Sequence, residues 1–131
     1  MASTAVAISV NCGGRERTLP ALPDPTREFG QLLRIYGPSS DVTVTVELAN
    51  GEGQLLVALE AGSVFVGLFT TDGTYQYVAD EQAEGKCQFV IGGAPTSIDT
   101  RYVMQVRAAI DVLTPWIAGV PPLSTRGWER R

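Results

Sequence analysis

The sequence predicts an α+β domain: an antiparallel sheet of about five to six strands, arranged as a meander, with an N-terminal and a C-terminal helix packed on it. Residues 42–91 carry VTVTVEL, QLLVALEA, SVFVGLFTT, TYQYVA and KCQFVI in succession, separated by short polar or glycine-bearing breaks. β-Branched and aromatic residues alternating between turn signals mark strands. On either side of this block, apolar residues switch to helical spacing: Phe29, Leu32, Leu33 and Tyr36 before it, and Tyr102 or Val103, Val106, Ala109 or Ile110, and Leu113 after it. The chain of 131 residues suits a single domain spanning residues 1–131. A chain of this size buries roughly two thirds of its unfolded surface, enough for a core that needs no staples.

The elements follow in order. Residues 4–10 alternate as TAVAISV, with Val6, Ile8 and Val10 on one face, and Gly13 and Gly14 end this first strand. Arg15, Glu16 and Arg17 make a solvated turn or the start of a short second strand. The first helix has Asp24 as N-cap, Pro25 at its first position and Gly37-Pro38 as its stop. In residues 42–48 the valines alternate with Thr43, Thr45 and Glu47, so one face meets a core layer and the other faces outward. Asn50, Gly51, Glu52 and Gly53 form a hairpin loop, and Ala61-Gly62 a tighter one. SVFVGLFT is apolar on both faces, which marks the central strand. Asp72-Gly73 is a two-residue hairpin signal of the kind that needs positive φ.

Residues 80–85 read as an acidic, mobile loop, and Cys87, Phe89 and Ile91 share one face of the next strand. Residues 92–97 lead into the second helix, which Ser97 or Asp99 caps. Pro115 ends or kinks it, because a proline there removes the bond to Asp111, and Trp116 and Ile117 can complete a last turn before Gly119. The tail PPLSTRGWERR has no periodicity. Trp128 reads as an anchor that docks the tail, and Arg130 and Arg131 as frayed ends.

Composition removes several functions. There is no histidine, hence no commonest general base, no commonest metal ligand and no middle member of a Ser-His-Asp or Cys-His arrangement. Cys12 and Cys87 form no metal or redox motif. No apolar run approaches the ~20 residues of a membrane span. The first ten residues lack a basic leader, so a cytoplasmic location is expected. Gly92-Gly93 before a helix invites a phosphate-loop reading, but neither glycine-rich phosphate motif is present and no lysine follows. No cofactor, no metal and no enzymatic activity are expected.

Charge is the main clue to function. Between residues 41 and 99 stand Asp41, Glu47, Glu52, Glu60, Asp72, Asp80, Glu81, Glu84 and Asp99 against Lys86 alone, a net of −8, while the flanking segments are slightly positive. Asp80, Glu81 and Glu84 are the one carboxylate cluster. With no apolar pocket implied around them they are poor acid–base catalysts, and their spacing is not that of a calcium loop. Tyr75 and Tyr77 share a strand face. They form the outer edge of the core or contact a partner, since tyrosine is enriched at interfaces. Stacking of nucleic-acid bases on them is opposed by the surrounding negative charge. An acidic surface of this kind suits fast, salt-sensitive capture of a basic protein. The expected partner-binding residues are therefore Asp72, Tyr75, Tyr77, Asp80, Glu81 and Glu84.

The second half also carries a family likeness. A strand ending in QYV, an acidic loop, a strand running into Gly-Gly and a helix containing AAIDVL appear in that order. They are followed by Gly119, Val120 and Pro121 and by a terminal tryptophan with Glu129 after it. Over residues 54–131 this resembles the immunity proteins of bacterial polymorphic toxin systems, in the family paired with nucleic-acid deaminase toxins. The resemblance implies a non-catalytic inhibitor, held in the producer's cytoplasm, that binds a cognate toxin domain and blocks its substrate cleft. It carries over no individual functional residue. The competing reading is an acidic cytosolic secretion or assembly chaperone that grips an apolar client segment.

Overall fold

The computed structural model describes residues 5–19, 25–48, 53–71, 73–117 and 127–130. The expected cap Asp24, residues 50–52 of the expected hairpin loop, Asp72 and the element at residues 119–121 lie outside these residues, and Gly53, expected in that loop, belongs to a strand. The chain is α+β, with two helices and a large antiparallel sheet. Its strands are β1 (Ala5–Cys12), β2 (Arg15–Leu19), β3 (Val42–Leu48), β4 (Gly53–Glu60), β5 (Ser63–Thr70) and β6 (Gly73–Tyr77), then β7 (Lys86–Ile91), β8 (Ala94–Asp99), β9 (Val103–Gln105) and β10 (Trp128–Arg130). The helices are α1 (Pro25–Tyr36) and α2 (Val106–Ile117).

Strands β3 to β6 follow one another as an antiparallel meander. β1 adds beside β3 and carries β2 on its far side, while β10 extends the sheet beyond β6 and β9 pairs with the first residues of β5. The pairing register lines up apolar rows across the sheet. Ile8 stands opposite Val46, Val46 opposite Leu55, Leu55 opposite Leu68, and Leu68 opposite Tyr75. A second row runs Val10, Val44, Val57, Val66, and a third Val42, Leu59, Val64, Met104. These rows form one buried cluster with Phe29 and Leu33 of α1 and Ala109, Leu113 and Ile117 of α2. Each such side chain contributes roughly 1.5–3 kcal/mol when fully buried. A slip of one residue would turn a whole row outward, so the register is strongly specified.

The expectation of five to six strands is too small: among the described residues the main sheet has eight strands. The meander also stops one strand early. β7 leaves the sheet and pairs with β8 in a separate two-stranded ribbon. The cause lies in Gly92 and Gly93, whose φ angles of 61° and 81° make a two-residue turn that folds the chain straight back, with Ile91 opposite Ala94. Such a turn matches the twist of a hairpin. Pro95, which has no N–H, is tolerated because β8 is an edge strand. Residues 92–97 are thus hairpin, not a lead-in to a helix. Ser97 and Asp99 belong to β8, residues 100–102 make one 3-10 turn, and α2 begins at Val106.

Pro115 lies inside α2, whose last turn runs on to Ile117 as expected, and the Thr114 hydroxyl donates to the Ile110 carbonyl at 2.7 Å there. One further expectation changes. The tail is not irregular throughout: Trp128, Glu129 and Arg130 pair with Tyr77, Gln76 and Tyr75, so Arg130 is a strand residue and not a frayed end.

Candidate functional site

The outer face of the sheet is where this chain departs from a simple helix-on-sheet layer. Alternation along β5 sends Val64, Val66 and Leu68 into the main core and Phe65, Gly67 and Phe69 the other way. The β7–β8 ribbon covers part of that outer face. Phe89 is buried against Ala58 and Phe65, with Cys87, Ile91 and Ile98 packed around them. The full apolarity of β5, legible in the sequence, comes from this second small core.

Polar bonds tie the ribbon to the sheet at its tip and its two strands to each other at its base. At its tip, Glu60 Oε1 accepts the backbone N–H groups of Val90 at 3.0 Å and Asp41 at 3.2 Å, and Asp41 Oδ1 accepts that of Gly93 at 3.2 Å. Burial alone would raise the Glu60 pKa. Hydrogen bonds from the Ser40 side chain and from these two backbone groups outweigh it and hold the carboxyl below its ordinary value. At the base, the N–H of Thr100 donates to the Gly85 carbonyl at 3.0 Å, and Lys86 Nζ lies 3.3 Å from Asp99 Oδ1.

The lowered pKa of Glu60 sets a pH dependence. A carboxyl lowered on folding adds stability at pH values above its unfolded pKa, and that stability is lost as pH falls through the folded value. Acid titration of unfolding stability should therefore show a component that Glu60→Gln removes, because the amide oxygen still accepts both bonds but no longer titrates. An unchanged acid limb in Glu60→Gln would mean that folding leaves the Glu60 pKa where it was.

Between the ribbon and the uncovered part of the sheet runs a groove of about 500 Å³. Leu56, Phe65, Phe69 and Gln76 line it from the sheet, and residues 96–99 from β8. Phe69 is 41% exposed, one of two large apolar side chains left open to solvent among the described residues. Tyr102 closes one side. Its hydroxyl donates to Glu129 Oε1 at 2.7 Å, and Arg101 Nη2 lies 2.8 Å from Glu129 Oε2. The bond to Glu129, helped by burial, raises the Tyr102 pKa above its ordinary value.

The negative charge is not spread as one acidic sheet face. Asp41 and Glu60 are used in the joint at the ribbon's tip, Asp99 faces Lys86, and Glu129 is held by Arg101 and Tyr102. Asp80, Glu81 and Glu84 are exposed, in the loop that joins β6 to the base of the ribbon. That loop is tied by its backbone: the N–H groups of Ala79 and Asp80 both donate to the Arg101 carbonyl, at 2.8 and 3.1 Å. Asp80 Oδ1 in turn accepts the N–H of Gln82 at 3.0 Å.

Of the residues expected to bind a partner, Tyr75 and Tyr77 lie half-buried against the main core. The ring of Tyr77 meets Trp128 edge-on at 5.4 Å. Gln76, between the two tyrosines, faces the groove. Phe69 and the groove were missed in the sequence. Their signal was the outward set Phe65, Gly67 and Phe69 in a strand apolar on both faces, with no way to tell which part a ribbon would cover.

Among the described residues no three His, Cys, Asp or Glu side chains are grouped to hold a metal, and no helix is long and apolar enough to cross a membrane. No protein-family model matches the chain, and no curated protein matches it.

Proposed function

We propose that this chain is a non-catalytic immunity protein that binds and neutralises a basic toxin domain, of the nucleic-acid deaminase kind, by covering its substrate cleft. The observation that carries the reading is the loop between β6 and β7. It holds three exposed carboxylates, Asp80, Glu81 and Glu84, on a backbone fixed by Arg101, and none of the three is in an ion pair among the described residues. Charges held in place ahead of binding steer a partner of opposite sign and mimic the phosphates its cleft is built to receive.

The test is co-purification with the toxin domain encoded beside this chain, at low and then at high salt. Changing Asp80, Glu81 and Glu84 together to lysine should slow association roughly 10- to 100-fold at low salt and flatten its salt dependence. An association rate unchanged by the triple reversal would remove this loop from the interface.

The second reading, a chaperone for an apolar client segment, is favoured by one observation, the exposed ring of Phe69 in the groove. It predicts a complex that tolerates high salt, because burial of apolar surface is not screened.

A further inference from the structure

We infer that the groove between the β7–β8 ribbon and the outer face of β5 and β6 receives an extended segment of the partner, which adds as a strand to β8 and carries apolar side chains between lysines or arginines. This rests on the reading of the chain as a binder of a basic protein.

Three features of the groove converge on that occupant. The first is the edge. Four consecutive residues of β8, 96–99, line the groove. Side chains of a strand alternate between faces, so an unbroken run is presented only by the edge of a strand. Among the described residues β8 pairs with β7 on one side alone, and its other edge offers main-chain donors and acceptors to an incoming strand. Pro95 supplies no N–H, which confines such pairing to residues 96–99.

The second feature is the floor. A Cβ built on Gly67 would have the rings of Phe65 and Phe69 as its nearest neighbours, each at the ordinary contact distance of 3.8 Å, so the position has room for one. A glycine inside a strand costs stability, and a common reason for one is the close approach of another chain. Phe69 beside it is the apolar contact an incoming side chain would cover.

The third feature is charge. The groove's one lysine, Lys86, already faces Asp99. The loop that runs into Lys86 carries Asp80, Glu81 and Glu84. An apolar segment flanked by cations meets complementary charge as it enters, and one flanked by carboxylates is repelled.

The experiment uses fluorescent peptides and the full chain. One heptapeptide alternates lysine with leucine and phenylalanine, a second has glutamate at each lysine, and a third is the lysine peptide N-methylated at alternate residues so that one edge cannot pair. Anisotropy should show the lysine peptide binding wild type at least tenfold more tightly than either of the others. Phe69→Ser, at an exposed position, should weaken it tenfold with the melting temperature unchanged, and Phe69→Lys should weaken it further. Equal binding of the methylated peptide, equal binding to Phe69→Ser, or no binding of the lysine peptide would each overturn the assignment. The two levels of the reading separate when Phe69→Ser is carried into co-purification. A toxin-domain complex indifferent to Phe69 sinks the groove and leaves the immunity reading standing. Phe69-dependent peptide binding without any such complex does the reverse.

Discussion

Replacing Phe89 with alanine should lower unfolding stability by about 3–5 kcal/mol, the range for removing a large buried aromatic ring. Phe89 is 1% exposed and is the ring through which the β7–β8 ribbon is seated on Ala58 and Phe65. Nothing of similar size from the ribbon reaches the sheet beside it: Cys87, Ile91 and Ile98 are only half-buried. The loss should not be uniform across the molecule. The main core on the other face contains none of these side chains, so its strands keep their packing while the ribbon loosens. Urea denaturation gives the magnitude, and amide exchange gives its location, with the N–H of Val90, now bonded to Glu60, the first to lose protection. A cost under about 1 kcal/mol, the scale of an ordinary point mutation, would mean that the ribbon is not seated on this face.

The second large effect is expected at Gly127, where alanine should cost roughly 2–4 kcal/mol from a disallowed backbone and an overpacked contact together. The φ of Gly127 is +105°, and a Cβ there would lie 2.6 Å from the Tyr77 ring. Tyr77 has little room to yield, since the ring of Trp128 meets it edge-on and both pack on the core. The Gly127 carbonyl also accepts the N–H of Val78 at 2.7 Å, so shifting the backbone breaks a bond instead of relieving the contact. The chain's escape is to release β10 from β6. The measured loss is therefore limited by what β10 contributes through Trp128 and through the hold of Arg101 and Tyr102 on Glu129. Tryptophan fluorescence reports this directly. A red shift in Gly127→Ala under native conditions marks Trp128 entering water, and an unshifted spectrum with full stability would refute the contact.

Most of the fold was legible because its strands obey one period and one purpose. In residues 42–48 each valine is a core residue and each threonine is not, and the run SVFVGLFT announced burial on both faces. α1 was legible for the same reason, with Phe29 and Leu33 on its buried stripe. What failed were short elements whose existence depends on partners distant in sequence. β9 and β10 have three residues each, too few for any periodicity, and they are strands only because β5 and β6 offer edges. β8 was hidden by Pro95, which argues against a strand unless the strand lies at an edge. The candidate site suffered most from this. Charge could be counted along the chain, but which carboxylates were already occupied by Val90, Gly93, Lys86 or Tyr102 depended on the ribbon and the tail finding their places.

The order in which the core residues occur along the chain bears on synthesis. Ile8 and Val10 leave the ribosome about a hundred residues before Ala109, Leu113 and Ile117, which close the same cluster. Until then α1 is the one described helix able to shield the apolar face of the nascent sheet. Contacts so distant in sequence are slow to form, and exposed strand faces are the usual route to aggregation during that delay. Translation speed and chaperone supply between synthesis of β6 and synthesis of α2 should therefore govern the yield of active protein more strongly than they do for chains that complete their cores early.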